Sequence, residues 1–90
     1  MPSVQFTRHL QLHFPKLKDV SVEGSSLADV VTKLDEMHPG LAAYILDEHG
    51  ALRKHVNIFI NEQLLEDRDA LRDEVEAHDR IFIMQALSGG

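Results

Sequence analysis

The spacing of apolar and polar residues predicts two short strands in the first quarter of the chain. The run 4–9 alternates apolar and polar residues at first, with Val4 and Phe6 on one side, and the alternation returns over 19–23. A period of two residues is typical of strands with one buried face. The segment between the two runs contains Pro15, which favours a connection, so we expect a hairpin with a loose loop.

A helix with one apolar side is predicted after the Gly-Ser-Ser turn that follows. Its apolar residues recur at spacings of three and four; they are Leu27, Val30, Val31, Leu34 and Met37. Ser26 is the expected N-cap, and Asp29 stands where the partner of a capping box would be. The helix should end before Pro39, because the residue preceding proline disfavours helical backbone angles.

The second half of the chain contains three further strand patterns. The run 56–60 is β-branched and aromatic, which predicts a central strand. A tight turn at 61–62 leads into a short returning strand that starts at 63–65, and 80–85 is the last strand. The apolar segment 41–46 fits either a short helix or a turn, and its pattern does not decide between them.

The predicted fold class is α+β, with a mixed sheet of four to five strands packed on one main helix. One helix across a sheet is the economical way to bury its apolar side in a single domain of ninety residues. The sheet side that faces the helix should carry Phe6, Val22, Ile58, Ile60, Ile81 and Ile83. We expect the domain to span 1–86, with Leu71 and Val75 anchoring the charged, irregular segment 66–77.

Composition narrows the classes of partner. Nine Lys and Arg against fifteen Asp and Glu give a net charge of −6, which disfavours binding to nucleic acid and suits a basic protein surface. The chain has no cysteine, so disulfides, thiolate metal sites and a cysteine nucleophile are excluded on it. No apolar run approaches the roughly 18 residues of a membrane span. The chain begins without a secretory pattern, and we expect a cytoplasmic location.

The C-terminus is the strongest candidate for chemistry. The last strand leads directly into Leu87-Ser88-Gly89-Gly90. Two glycines accept almost any backbone angle and can pass through a channel that would exclude a Cβ atom. The α-carboxylate of Gly90 is ionised at neutral pH, and a partner enzyme could activate it by attaching AMP. We therefore predict a flexible tail over 87–90, although a frayed end without function is the alternative.

This element order with a terminal Gly-Gly resembles the β-grasp sulfur carriers of the ThiS/MoaD family, which are relatives of ubiquitin. The resemblance covers the whole chain, and the run 53–58 looks especially like the CysO branch of the family. The matching stretches are 56–61, Val75 with 78–79 and Ile81, and 88–90. The resemblance implies a β-grasp, ubiquitin-like roll.

The resemblance also implies a function. A MoeB-like or ThiF-like activating enzyme would adenylate Gly90, while Leu87, Ser88 and Gly89 thread its channel. Sulfur delivery would leave a thiocarboxylate, which a sulfur-accepting synthase would use to make molybdopterin, thiamine or cysteine. The chain would then be a co-substrate and not an enzyme. It would bind no cofactor, because it has no glycine-rich phosphate loop, and the partner would hold ATP and Mg²⁺.

Two alternatives to the carrier function remain open in the sequence. A ubiquitin-like modifier would be conjugated to lysines through Gly90, and a small β-grasp subunit would make no use of its terminal glycines. Two positions also depart from the family pattern. His78 stands where glycine is common, and histidine tolerates a positive φ better than β-branched residues do. Gln85-Ala86 replace the two prolines of many MoaD members, which weakens an assignment to molybdopterin synthesis.

The face of the sheet that points away from the helix is a predicted partner surface. Strand parity places Phe59, Phe82 and Met84 on this face, and Leu64 on the short strand joins them. Apolar side chains on an exposed face mark binding sites for other proteins. The alternative is that the short helix or a loop covers them.

Two other groups of residues are candidates for sites. The histidines are scattered, and His9 and His13 are followed by Phe14-Pro15, where we expect no helix to bring them together, so no metal site is predicted. Carboxylates that could suggest acid–base pairs occur within one charged segment with no apolar pocket, which favours a solvated loop. They are Asp67 with Asp69, and Asp73 with Glu74.

Overall fold

The computed structural model describes residues 1–85, and within them a five-stranded mixed sheet packs against helices. The elements are β1 (Ser3–Phe6), α1 (Arg8–His13), β2 (Val20–Ser21), α2 (Leu27–Met37), α3 (Leu41–Ile45), β3 (Val56–Ile60), β4 (Gln63–Leu64) and β5 (Arg80–Gln85). The strand order is β2-β1-β5-β3-β4, with β5 parallel to β1 and antiparallel to β3. The predicted α+β roll is confirmed, and β5 is its central strand.

The inner face of the sheet and one side of α2 form the core. The register pairs Ile58 with Ile83, and both side chains are at most 1% exposed. On α2, the buried side chains are Leu27, Val30, Val31 and Leu34. A helix of this length is marginal alone, since isolated helices need about 12–15 residues or more. Burial of each large aliphatic side chain stabilises it by about 1.5–3 kcal/mol, so tertiary packing holds α2 in place.

The ends of α2 follow the sequence prediction with two differences. Ser26 Oγ accepts a hydrogen bond from the Asp29 backbone N–H at 3.2 Å, which confirms the N-cap. The Asp29 carboxylate accepts from the backbone N–H and the hydroxyl of Ser25, one residue before the expected position. The placement of Met37 on the buried side was wrong. Its side chain is 50% exposed and, with Phe14, lines a depression at the surface.

Helix α1 replaces the end of the first predicted strand. β1 stops at Phe6, and the chain turns into a helix at Arg8. The expectation of a strand over 4–9 was therefore wrong beyond Phe6. The two leucines of α1 alternate with polar residues, which is the pattern typical of a strand. In the structure they do not share one face, because Leu10 is fully buried whereas Leu12 is 69% exposed. Burial of Leu10 against the sheet decides the conformation, and a local pattern does not contain that information.

The undecided segment 41–46 is helical over Leu41–Ile45, and Leu46 follows the helix in an extended conformation. α3 begins after Gly40, whose φ of 99° lies in the left-handed region that glycine adopts without strain. The Asp35 carboxylate fixes this turn by accepting from the backbone N–H groups of Gly40 and Ala42. In the irregular segment that follows β4, Leu71 and Val75 are buried as predicted.

Candidate functional site: the outer face of the sheet

The outer face of the sheet carries a row of side chains that crosses four strands. Phe59 on β3 pairs with Leu64 on β4 and with Phe82 on β5, and Phe82 pairs with Gln5 on β1. Met84 lies one pleat further along β5, opposite Asn57. The structure thus places all of the predicted surface residues on the face opposite α2. Leu64 is 52% exposed, and the other three apolar side chains are half-buried.

An open depression of about 560 Å³ lies between these side chains. Phe59, Phe82 and Met84 form its apolar floor, and the polar residues Glu62 and Arg80 stand at its margin. The short helix does not cover the depression, because α3 packs against α2 on the other side of the sheet. An apolar centre with a polar margin is the usual composition of a protein–protein interface. The role of Phe59, Leu64, Phe82 and Met84 in binding a partner stays a prediction.

A hydrogen-bonded clamp holds one end of this face. Asn61 Nδ2 donates to Asp79 Oδ1 at 2.8 Å, while Asn61 Oδ1 accepts from the Arg80 backbone N–H at 2.8 Å. The other Asp79 oxygen accepts from the Glu76 backbone N–H at 2.8 Å. Asp79 is only 7% exposed. The clamp therefore ties the turn after β3 to the start of β5, next to the depression.

The clamp determines the ionisation of Asp79. The Glu76 backbone N–H and then the Asn61 side chain lower the pKa of the Asp79 carboxyl, because both donors stabilise the charged form. Sequence reasoning did not find this pair. The two residues are 18 positions apart, and only the pairing of β3 with β5 brings them together. A turn asparagine and an aspartate that precedes the next strand were the available signals.

The turn of the clamp uses backbone angles that few residues adopt. Asn61 and Glu62 have φ values of 51° and 72°, as the two central residues of a type I′ hairpin turn require. Asparagine is among the residues that tolerate this region best. His78 is not among the residues with a positive φ. The glycine that the family commonly has at this position is therefore not needed for the backbone conformation seen here.

The root of the tail is held by the central strand. Gln85, the last described residue, pairs with Val56, and its backbone N–H lies 3.3 Å from Thr7 Oγ1. Ala86 and the predicted tail residues lie outside the described residues. The predictions for Leu87, Ser88, Gly89 and Gly90 thus stay predictions.

The carboxylates considered for acid–base chemistry organise a loop instead. Asp73 accepts hydrogen bonds from the backbone N–H groups of Glu66 and Asp67. Asp67 in turn accepts from the backbone of Asp69, Ala70 and Arg72. The Arg72 guanidinium, together with these backbone donors, lowers the pKa of Asp67 to about 2. A carboxylate held in its charged form by several donors is a loop anchor and a poor proton acceptor.

Two arrangements of side chains bear on metal binding. Within residues 1–85, Glu76, His78 and Asp79 place ligand atoms within 4.8 Å of one another, but both Asp79 oxygens already accept hydrogen bonds. Helix α1 brings His9 and His13 together, with ring centres 5.4 Å apart. The expectation that no helix would join these two histidines was wrong, because it assumed that the first strand continued.

These features define the class of the protein. A mixed five-stranded sheet with parallel β1 and β5 at its centre, wrapped around one main helix, is the β-grasp fold of ubiquitin-like proteins. In the part of the chain that the structure describes, no helix is both long and apolar enough to cross a membrane.

Comparison with known proteins identifies the family. The model of the ThiS family matches residues 4–90, and the chain belongs to this family. The sulfur carrier protein CysO of Mycobacterium tuberculosis is 28% identical over 83 residues, which cover 90% of this chain and 89% of that protein.

Two solved structures share the fold. A chain in the Amycolatopsis orientalis BexX/CysO complex has a TM-score of 0.84 at 22% identity, and the match covers 100% of this chain and 100% of that one. The small archaeal modifier protein 1 of Methanosarcina acetivorans has a TM-score of 0.79 at 22% identity, over 99% of this chain and 95% of that one. At these identities the likeness extends to the fold alone.

Proposed function

We propose that this chain is a sulfur carrier of the cytoplasm whose C-terminal Gly90 receives and delivers sulfur. The observation that carries the proposal is the family match, which extends through the terminal Gly89-Gly90. The curated CysO relatives, which are sulfur carriers by name, support the same role. The chain serves as a co-substrate, and its partners supply the catalytic groups.

The proposed chemistry begins at the Gly90 carboxylate. One carboxylate oxygen attacks the α-phosphorus of ATP in the activating partner, pyrophosphate leaves, and an acyl-adenylate forms. A sulfide-level donor then attacks the acyl carbon, AMP leaves with its bridging oxygen, and a thiocarboxylate remains. The adenylate is necessary because a carboxylate has no good leaving group. ATP and Mg²⁺ belong to the partner in this scheme.

The outer face supplies the docking surface for this proposal. Its apolar floor and polar margin lie on the same sheet whose central strand leads into the tail. A partner seated on Phe59, Phe82 and Met84 contacts β5 directly, so docking and tail position are coupled through one strand. Leu64 extends the contact to the edge of the sheet.

Reconstitution with a ThiF-type or MoeB-type activating enzyme of the same organism tests the proposal. With ATP and sulfide, the intact mass should change by one sulfur in place of one oxygen. A modifier would instead give adducts on the lysines of other proteins, and a structural subunit would give neither product. If neither product forms with an enzyme that is shown to be active on another carrier protein, the proposal is contradicted.

Deletion of Gly90 is the matched control for the tail. It moves the carboxylate back by about 3.3–3.6 Å in an extended chain. Reacting atoms must approach within about 3–3.5 Å, so ATP–pyrophosphate exchange should be nearly abolished. An alanine added after Gly90 should have the same effect. Parental exchange in both variants would show that the terminus is not the reacting group.

For the recipient of the sulfur, we propose an enzyme of cysteine biosynthesis. The similarity to CysO supports this pathway, and the absence of the two prolines before the tail argues against molybdopterin synthesis. Incubation of the thiocarboxylate form with candidate cysteine-forming and cofactor-forming synthases would separate the pathways. Consumption of the thiocarboxylate by a molybdopterin or thiamine enzyme alone would contradict the assignment.

A further inference from the structure

Helix α1 presents two histidine rings side by side. His9 and His13 are four residues apart, and residues at this spacing lie on the same side of a helix. Their ring centres are 5.4 Å apart with an interplanar angle of 71°. His13 is exposed and His9 is half-buried. Within residues 1–85, neither ring takes part in a side-chain hydrogen bond or an ion pair.

Helix α3 fixes the orientation of one of these rings. The Tyr44 ring lies 4.8 Å from that of His13, at an angle of 39°. Tyr44 also contacts the edge of Phe14, at 5.6 Å, and both aromatic residues pack against the core. The His13 ring is thus held between a neighbouring imidazole and a packed phenol. A ligand that binds the pair loses less side-chain entropy because this arrangement exists beforehand.

The spacing of the rings matches that of two imidazoles on one metal ion. With metal–nitrogen bonds of about 2.0–2.1 Å and tetrahedral angles, the ring centres would lie about 5 Å apart. Imidazole nitrogens suit Zn²⁺, Cu²⁺ and Ni²⁺, whereas Mg²⁺ and Ca²⁺ prefer oxygen ligands. We propose that His9 and His13 form a two-histidine site for a divalent transition-metal ion, with water at the remaining coordination positions.

The cluster at the start of β5 is the competing site. Glu76, His78 and Asp79 offer three ligand atoms, one more than the pair on α1. However, both oxygens of Asp79 already accept hydrogen bonds that hold the turn. A metal ion there would have to compete with this clamp. Within residues 1–85, the ring nitrogens of His9 and His13 hold no comparable contact in the fold.

Zinc titration of the full chain tests the assignment. Isothermal titration calorimetry should give one saturable site, and zinc should shift the ring-proton resonances of His9 and His13. Loss of an outer hydrogen-bond partner typically weakens a metal site about 10–100-fold, so loss of a ligand in His9→Gln or His13→Gln should weaken binding at least tenfold. His38→Gln and His78→Gln are the matched controls and should keep the parental affinity. Tyr44→Leu should weaken binding by less than either ligand change.

A folding control and two possible results decide whether His9 and His13 form the site. Since both rings reach solvent, the glutamine variants should give parental circular dichroism spectra, and a loss of affinity then reflects the site alone. A loss confined to His78→Gln would move the site to the start of β5 and overturn the proposal. Binding without saturation, or an equal effect of every histidine substitution, would show adventitious association with surface histidines and would overturn it as well.

Discussion

The clamp between Asn61 and Asp79 yields the most specific prediction for stability. Asp79→Asn keeps the shape of the side chain but replaces one acceptor oxygen with a donor group. If the new amide keeps its oxygen toward Asn61, its NH₂ group faces the Glu76 backbone N–H. If the amide is reversed, its NH₂ group faces that of Asn61, which cannot rotate without losing its bond from the Arg80 backbone N–H. No arrangement of the two amides satisfies all of the donors.

The size of the effect follows from these contacts. A hydrogen bond to a charged group contributes about 1.5–3 kcal/mol, and a buried donor without a partner costs about 1–3 kcal/mol. We therefore expect Asp79→Asn to lower the free energy of unfolding by about 2–4 kcal/mol. For a domain of this size, that loss corresponds to a fall in the melting temperature of roughly 10–30 °C. Urea unfolding at pH 7 measures the same difference through the midpoint.

The pH dependence gives an independent check with a defined sign. The pKa of Asp79 in the folded protein is lowered from an ordinary value of 3.8, so the unfolded state binds the proton more tightly. The stabilisation is complete above the ordinary pKa and is lost as the pH falls through the lower, folded value. The wild type and Asp79→Asn should therefore differ most at neutral pH and converge in acid.

Asp69→Asn is the matched control for the clamp. Asp69 is exposed, its carboxylate accepts no hydrogen bond within residues 1–85, and its substitution changes the net charge equally. This variant should unfold within about 0.5 kcal/mol of the wild type. Coincident unfolding curves for the two variants at pH 7, or a difference that persists unchanged at pH 2, would refute the reasoning.

Two further predictions address the two sides of the sheet. Leu34→Ala should lower the free energy of unfolding by about 2–5 kcal/mol because it leaves a cavity in the core. Met37→Ala on the same helix should change the free energy of unfolding by about 0.5 kcal/mol or less. Equal urea midpoints for these two variants would contradict the packing of the helix on the sheet. Phe59→Asp should leave the fold nearly intact but slow ATP–pyrophosphate exchange by the activating enzyme, because its carboxylate loses water at an apolar interface. The neighbouring change Ile58→Asp should unfold the protein, and unfolding of both variants would place Phe59 in the core.

The long strands could be predicted from the sequence because their stability is encoded in their own residues. β3 and β5 have the bounds expected from β-branched and aromatic runs, Val56–Ile60 and Arg80–Gln85. Their alternation also determines which side chains face outward, so the outer apolar surface followed from the same pattern. Both inferences depend on a period of two, and one run of five or six residues is enough to reveal it.

Other features depend on contacts that no local pattern contains. α1 has six residues, too few to form a helix alone, and Leu10 becomes buried only when the sheet is present. The proximity of His9 and His13 could not be predicted for the same reason, because these two side chains approach each other only on that helix. The error at Met37 is the opposite one. Its spacing along the helix fits the buried side, but Met37 is the last residue of α2 and its side chain is exposed.

The register of β5 links the fold to the proposed chemistry of the tail. A slip of one residue would exchange the inner Ile81 and Ile83 with the outer Phe82 and Met84, and it would also shift the point at which the tail begins by about 3.3 Å. Neighbours on both sides oppose this slip. At the start of β5, the Ser3 backbone N–H donates to the Asp79 carbonyl at 3.0 Å, and the side-chain clamp lies at the same point.

If Gly90 is the reacting group, as proposed, the clamp has a role beyond stability. Residues 86–90 follow β5 in the chain, and the position of β5 along the sheet is set at its other end by the clamp at Asp79. A variant that loosens the clamp without unfolding the protein should displace the carboxylate within the partner, and activation should fall even though no substituted residue lies near the tail. The stability at the start of β5 and the proposed reactivity of Gly90 would therefore both depend on the register of one strand.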